Sequence, residues 1–83
     1  MATQTIRTTV NGKTAEMIES GDEITVMVDG TAGQWSPVYG CVMGCDAIAN
    51  DQERAVLSEK FARARKMLAN TRPSARPAIL VVP

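Results

Sequence analysis

The chain has 83 residues, and its nine basic and nine acidic residues give a formal net charge of zero. A chain of this length encloses one core and has little room for a buried active site, and a hydrophobic content of 45% is typical of a globular protein rather than a disordered one. It contains no histidine, the side chain most used for acid-base catalysis near neutral pH and the commonest nitrogen ligand of metals.

No run of apolar residues in the sequence is long enough to span a membrane, and its first residues lack the apolar core of a secretion signal. We therefore expect no membrane association and a cytoplasmic location.

Although the net charge is zero, the acidic and basic residues are concentrated in different parts of the chain. Residues 1–53 contain eight acidic and two basic residues, whereas residues 54–83 contain one acidic and seven basic residues. Such asymmetry indicates an anionic partner, an electrostatic link between the two halves, or head-to-tail association of copies. We favour the link between the two halves and the association of copies over nucleic-acid binding, because nucleic-acid binders usually carry a net basic excess.

Two turn signals divide the first part of the chain into three alternating segments. Asn11-Gly12 is a strong hairpin signal, because a type I′ turn needs a positive φ at both of its central residues. Gly21-Asp22 is typical of a type II′ turn, which needs a positive φ at the glycine alone. These signals predict a three-stranded antiparallel meander over residues 3–29.

The registers implied by the two turns agree with each other. The first turn places Val10 opposite Lys13, and the second, taken independently, places Met17 opposite Val26. Both registers put the same apolar side chains on one face, which we expect to be the core face. Its members are Ile6, Thr8, Val10, Ala15, Met17, Ile24, Val26 and Val28.

Residues 30–49 are expected to form a glycine-rich loop followed by a strand or a short helix. Glycine punctuates residues 30–37, which predicts the loop. Residues 38–45 fit a fourth strand, but Ser36 followed by Pro37 also fits the start of a helix. Two internal glycines would cost such a helix about 1 kcal/mol each, so we favour the strand and keep the helix as the alternative.

Residues 50–70 predict one long amphipathic helix. Asn50 with Glu53 three residues later resembles a capping box. An apolar stripe at helical spacing follows, which we expect to pack on the core face of the sheet. Its members are Leu57, Phe61, Ala64 and Leu68.

Pro73 and Pro77 make residues 71–77 an extended connector, because proline disfavours helix in itself and in the residue before it. Residues 78–83 contain four consecutive large aliphatic residues, so we expect both faces of this segment to be covered. The segment either joins the sheet beneath the helix, which we favour, or docks on another molecule. Together the segments predict a single α+β domain over residues 1–83, with an antiparallel meander of three to five strands and one long helix on its apolar face.

Cys41 and Cys45 are the only cysteines. Structural zinc needs four ligands, and the chain offers two thiolates and no imidazole, so we expect no metal site. On a strand the two side chains would share one face roughly 13 Å apart, too far for a disulfide. We interpret both as small buried residues and keep a thiol or metal site as an alternative function.

Catalytic motifs are missing from the rest of the sequence. The serines have no histidine partner, and the glycines fit neither of the common phosphate-binding loop patterns. We therefore predict that the protein is not an enzyme and uses no cofactor and no small-molecule substrate.

Binding is the function class that remains. We expect a small non-catalytic protein-protein interaction protein, either a homo-oligomer or an adaptor or inhibitor of a larger macromolecular machine, as phage accessory proteins are. The candidate partner-binding residues are aromatic anchors and the apolar segment near the end of the sequence: Trp35, Tyr39, Ile79, Leu80, Val81 and Val82. For Trp35 we favour a place in the core between sheet and helix over a role in binding.

A nucleic-acid-binding module that uses the basic half of the chain is the second hypothesis. Its candidate contacts are Lys60, Arg63, Arg65, Lys66, Arg72 and Arg76. On a helical wheel the helical members of this set do not share one surface, so we favour a protein partner.

Overall fold

The structure, a computed structural model, describes residues 3–83. One long helix and a short 3₁₀ helix accompany six strands. The elements are β1 (Thr3–Val10), β2 (Lys13–Ser20), β3 (Glu23–Val28), β4 (Thr31–Ser36), β5 (Cys41–Met43), α1 (Asp51–Ala69), the 3₁₀ helix (Pro73–Ala75) and β6 (Ile79–Val81).

The six strands form one sheet in the order β5-β4-β3-β2-β1-β6. β1 to β5 are an antiparallel meander, and β6 pairs with β1 in parallel. α1 packs on one face of this sheet, which confirms the α+β class. The strand count exceeds the three to five that the sequence predicts, because the meander is longer than expected and residues 79–81 join it.

Both turns predicted in the meander are confirmed. Asn11 and Gly12 have φ values of 49° and 79°, as a type I′ turn requires, and Gly21 has a φ of 60°. The registers are confirmed as well, with Val10 opposite Lys13 in the first hairpin. The second hairpin continues that register without a bulge.

The loop predicted over residues 30–37 is wrong, because most of it forms β4. Asp29 and Gly30 have φ values of 50° and 82° and make a third two-residue hairpin turn. Gly33 lies within β4, where the segment that contains Cys45 leaves no room for a side chain. A Cβ at Gly33 would lie 2.6 Å from the Cβ of Cys45. The glycines that predict a loop are therefore a turn residue and a close-packing residue within a strand.

Residues 38–45 contain a strand and no helix, but the strand is shorter than predicted. β5 covers only residues 41–43, and a turn precedes it in which Gly40 N–H donates to the carbonyl of Ser36 at 2.8 Å. Gly40 and Gly44 both have positive φ, which ends the extended backbone on either side.

α1 begins after Asn50, whose side-chain oxygen accepts from the backbone N–H of Glu53 at 2.8 Å. The predicted apolar stripe is confirmed as the buried face of the helix, and it meets the predicted face of the sheet. The buried hydrophobic residues are Ile6, Val10, Ala15, Met17, Val26, Val28, Trp35, Val42, Cys45, Ile48, Leu57, Phe61, Ala64 and Leu68.

The connector over residues 71–77 is not fully extended, since it contains the 3₁₀ helix, whose first residue is Pro73. Proline suits that position because its fixed φ is already helical. The apolar residues beyond the connector join the sheet of their own chain, as favoured. The expectation that both faces are covered is wrong: Ile79 and Val81 are exposed, because no second layer covers the sheet face opposite α1.

Candidate functional site

The sheet face opposite α1 is the largest surface without a covering layer in the described chain. Two rows of side chains cross it from β6 toward β5. The first row contains Ile79, Thr5, Ile18, Thr25, Gln34 and Met43, and the second contains Val81, Arg7, Glu16, Met27 and Ala32. At the centre of the face, Arg7 and Glu16 form an ion pair of 2.9 Å beside the half-buried Ile18 and Met27, whereas the exposed apolar side chains lie at its edges.

The β6 edge carries two of the predicted partner-binding residues in exposed positions. Val81 is 66% exposed and Ile79 nearly half exposed, although both are β-branched aliphatic residues. Leu80 points to the opposite side of the strand, and it packs against the core together with Val82. Alternation along the strand therefore divides the predicted apolar segment into one outward pair and one inward pair.

The β5 edge carries a second exposed apolar group in the turn before the strand and on the strand itself. Val38 is 84% exposed and Tyr39 is 77% exposed, and Met43 is also exposed. The backbone N–H of Tyr39 is tied to Ser36 Oγ at 3.2 Å. Five strand spacings of about 4.8 Å place the two edges about 24 Å apart.

Trp35 is a core residue and not a surface anchor, since it is only 8% exposed. Its ring meets Phe61 edge to face, with centroids 6.5 Å apart and an interplanar angle of 83°. The Arg65 guanidinium lies 6.0 Å from the Trp35 ring centroid, a cation-π distance. Of the two aromatic anchors predicted, only Tyr39 offers its ring to a partner.

The six predicted nucleic-acid contacts do not form one surface. Lys60 donates to the carbonyl of Thr9 at 2.7 Å, and Arg65 pairs with Glu19 at 3.1 Å on the other side of α1. Arg63 pairs with Glu59 on the helix itself. Lys66 and Arg76 lie near Arg65, and Arg72 is exposed in the connector.

A cavity of 390 Å³ brings Arg65, Lys66 and Arg76 together where α1 ends above the sheet. Glu19 lies in the same cavity, and the guanidinium of Arg76 donates to the carbonyl of Thr71 at 3.0 Å. Three cations and one carboxylate give this cavity a modest positive excess. Three of the six predicted contacts therefore meet in this cavity.

Eight of the 18 charged side chains form no ion pair within residues 3–83. Five ion pairs form within residues 3–83, and among them only the Arg65 pair connects the acidic and basic halves over a long sequence distance. The charged side chains without an ion pair in the described chain are Asp22, Glu23, Asp29, Asp46, Lys60, Lys66, Arg72 and Arg76. Lys60 and Arg76 donate to backbone carbonyls instead, and none of the eight charges is offset by an ion pair within the described chain.

Glu53 is the one carboxylate with a strongly perturbed pKa in the described chain. Its pKa is lowered from 4.5 to about 2, first by the hydrogen bond from Lys13 and then by that from Asn11. Its oxygens also accept from the backbone N–H of Ala49 at 3.3 Å. Every partner of this carboxylate belongs to the fold, so we interpret it as a structural group that holds the helix start.

The thiols and hydroxyls are not assembled into a reactive group within residues 3–83. Cys45 is buried beside Gly33, whereas Cys41 lies on the uncovered face of the sheet, so the predicted placement of both on one face is wrong. Ser58 is buried, and its Oγ accepts a hydrogen bond from the backbone N–H of Val42 at 2.9 Å. In the same part of the chain, no group of three or more Cys, Asp or Glu side chains is arranged to hold a metal ion.

Sequence reasoning missed four exposed apolar residues: Val38, Met43, Val56 and Met67. The prediction places Val38 and Met43 in a longer strand, and Val56 and Met67 lie beside the apolar stripe of α1. Only Val56 and Met67 have a usable signal, since their places on the helical wheel are outside the buried stripe.

No helix among the described residues has the length and apolar content needed to cross a membrane. The chain matches no protein-family model, and it has no significant match to the curated proteins or the solved structures compared with it.

Proposed function

We propose that this protein is a small non-catalytic interaction protein whose contact regions are the two apolar edges of its sheet. The observation that supports this function is the distribution of its large exposed hydrophobic side chains. Within residues 3–83, only Val56 belongs to neither edge group, since it lines a separate cavity at the first hairpin turn. The others are Met67, Ile79 and Val81 at the β6 edge and Val38, Tyr39 and Met43 at the β5 edge.

Sheet edges are where proteins most need to avoid accidental pairing. Both edge strands here have three residues, which limits indiscriminate pairing, yet each carries exposed apolar side chains that a specific partner could bury. Fully burying a valine or isoleucine side chain stabilises a complex by about 1.5–3 kcal/mol. Two or three such residues at each edge suit an adaptor, an inhibitor or a reversible oligomer rather than a permanent assembly.

Self-association is one form of this function. The formal net charge of zero removes the general repulsion between copies. The two edges differ in sequence and lie on opposite sides of the sheet, so a contact between the β6 edge of one copy and the β5 edge of the next would be head-to-tail. The unpaired acids and bases give such a contact charges of both signs to match.

Native mass spectrometry of the gently purified protein tests the proposal. We expect masses above the 8.9 kDa of one chain, either integer multiples or complexes with a heavier protein. Val81→Lys and Tyr39→Lys should each reduce these species, because a lysine at either edge opposes burial.

Val56→Lys is the matched control, since Val56 is exposed on α1 and lines a separate cavity at the first hairpin turn. A single chain under all conditions would contradict the proposal. So would loss of the complexes in the Val56 variant to the same extent as in the edge variants.

Nucleic-acid binding has less support. Only Arg65, Lys66 and Arg76 converge, and Glu19 offsets part of their charge. This function predicts affinity for single- or double-stranded DNA that falls steeply with salt. Weak binding that stays unchanged between low and physiological salt would rule it out.

A further inference from the structure

We propose that the β6 edge is a docking site for an extended acidic segment of a partner protein, which adds to the sheet as a seventh strand. The inference rests on the proposed function and names the partner of one of its two edges. Three features of the β6 edge carry it: free backbone groups, an adjoining apolar groove and a basic rim.

The backbone of β6 offers hydrogen bonds in one defined register. Ala78 accepts from Thr5 N–H at 3.1 Å and Val82 donates to the carbonyl of Arg7 at 2.9 Å, so alternate residues of the strand face β1. The N–H and C=O groups of Ile79 and Val81 therefore point away from β1, and they have no backbone partner within the described chain.

Prolines restrict where an added strand can pair. Pro77 and Pro83 flank the strand and have no N–H to donate. An incoming strand therefore pairs at Ile79 and Val81 and cannot extend its ladder in either direction. This arrangement admits a short peptide segment in one register and disfavours open-ended sheet growth.

A groove beside the strand can hold one side chain of the incoming segment. It lies between β6 and α1, has a volume of 240 Å³, and is lined by Ala64, Met67, Val82 and Pro83 together with two basic residues. An apolar cavity of about 150 Å³ is large enough for benzene, so this groove has room for an aromatic or large aliphatic side chain. Side chains of an added strand alternate between the two sheet faces, and those on the α1 side would be directed toward this groove.

The charges around the edge select an acidic partner. Lys60 and Arg63 are the two basic residues that line the groove, and Arg76 precedes the strand by three residues. The one carboxylate on this part of α1, Glu59, pairs with Arg63 and offsets one of these charges, so the edge keeps a net positive charge. A second copy presenting the same edge would bring these bases against each other, whereas carboxylates that flank the apolar positions of a partner segment would satisfy them.

The experiment is a titration of the isotope-labelled full chain with a short synthetic peptide in which valine alternates with glutamate around a central phenylalanine. NMR should show the largest amide shifts at Ile79 and Val81, whose N–H groups gain acceptors, and a shift of the Met67 methyl group. A matched peptide with lysine in place of each glutamate should bind about tenfold more weakly or not at all. Binding of the acidic peptide should weaken with salt.

Variants separate the backbone contribution from the charge contribution. Val81→Pro removes one outward N–H without removing a hydrogen bond to β1, and it should abolish binding. The double variant Lys60→Glu, Arg63→Glu should weaken binding about fivefold to tenfold, as expected for the loss of two exposed charge pairs. The double variant Lys66→Glu, Arg72→Glu is the control, because it makes the same change of charge outside the groove: Lys66 lines the cavity on the other side of α1, and Arg72 is exposed in the connector.

Unshifted amides at Ile79 and Val81, or equal binding of the lysine peptide, would overturn the inference. If Val81→Lys dissociates integer multiples of the chain but the acidic peptide does not bind, the edge takes a second copy, which overturns this inference and leaves the proposed function standing. If neither the peptide nor any protein associates with the chain, both proposals fail.

Discussion

Lys13 Nζ lies 2.7 Å from Glu53 Oε1, an ion pair that joins the first hairpin of the sheet to the first turn of the helix. Asn11 Nδ2 donates to the other carboxylate oxygen at 2.8 Å, so both oxygens of the buried Glu53 are held by the same hairpin. The Lys13 ammonium also donates to the carbonyl of Ala47 at 2.8 Å, which fixes the loop that leads into the helix. These polar contacts add to the apolar packing of Ile48 and Leu57 in placing the start of α1 over the sheet.

Acid should therefore weaken the fold through Glu53. Its folded-state pKa is lowered from 4.5 to about 2, so its contribution to stability is fully present above about pH 4.5 and is lost as the pH falls toward about pH 2. We expect the free energy of unfolding of Glu53→Gln to be lower than that of the natural chain at neutral pH and to change less across this window. Urea unfolding followed by Trp35 fluorescence measures both.

Glu59→Gln serves as the control for this titration, because Glu59 pairs with Arg63 on an exposed helix surface. A pH dependence that is the same in Glu53→Gln as in the natural chain would contradict the assignment.

The edge strand β5 is anchored to the helix by a single side-chain hydrogen bond, from Val42 N–H to Ser58 Oγ at 2.9 Å. Ser58→Ala leaves that buried N–H without an acceptor, and we expect a loss of about 1–3 kcal/mol in the free energy of unfolding. The Val42 amide should also exchange faster with solvent, which hydrogen-exchange NMR detects. Ser74→Ala, at an exposed position of the connector, should leave both quantities unchanged; an equally protected Val42 amide in Ser58→Ala would show that the hydrogen bond contributes little.

Much of this fold could be predicted wherever backbone chemistry and side-chain pattern agree. Asn11-Gly12 and Gly21-Asp22 each admit one turn type, and their two registers meet on one apolar face. Asp29-Gly30, like Asn11-Gly12, has a positive φ at both residues. The third hairpin was missed because the strand that follows, over residues 31–36, shows no alternation of aliphatic and polar residues.

The candidate site could be predicted only in part. The apolar run around Val81 stands out in the sequence, but which of its residues face outward depends on its pairing with β1 and on the missing layer over one sheet face. Trp35 illustrates the opposite problem, since aromatic character fits a core residue and a binding anchor equally well. The contacts of Trp35 with Phe61 and Arg65 show that it is a core residue, and these contacts cannot be predicted from the local sequence.

The close approach of Gly33 and Cys45 gives a steric prediction. A Cβ at Gly33 would lie 2.6 Å from the Cβ of Cys45 and 3.3 Å from its Cα, so Gly33→Ala forces β4 away from the segment after β5. We expect a loss of about 1–3 kcal/mol in the free energy of unfolding, typical of overpacking.

The double variant Gly33→Ala, Cys45→Gly should recover part of this loss, because it removes the clashing Cβ. Cys45→Ala combined with Gly33→Ala keeps that Cβ and should recover nothing. Equal stabilities of the two double variants, measured by urea unfolding, would refute the steric explanation.

Substitution by threonine should change the free energy of unfolding at Leu80 but hardly at Val81, the next residue of β6. Leu80 packs against the core of its own chain, whereas Val81 points to the uncovered face. Leu80→Thr should lower the free energy of unfolding by about 1–3 kcal/mol, because it removes apolar contacts and places a hydroxyl against the core. Val81→Thr keeps a β-branched side chain of similar shape at an exposed position, and its effect should stay within about 0.5 kcal/mol. Urea unfolding at two protein concentrations checks the pair: a loss in Leu80→Thr that depends on concentration would mean that β6 packs on a neighbouring copy, and equal losses in both variants would mean that the strand does not alternate between core and solvent.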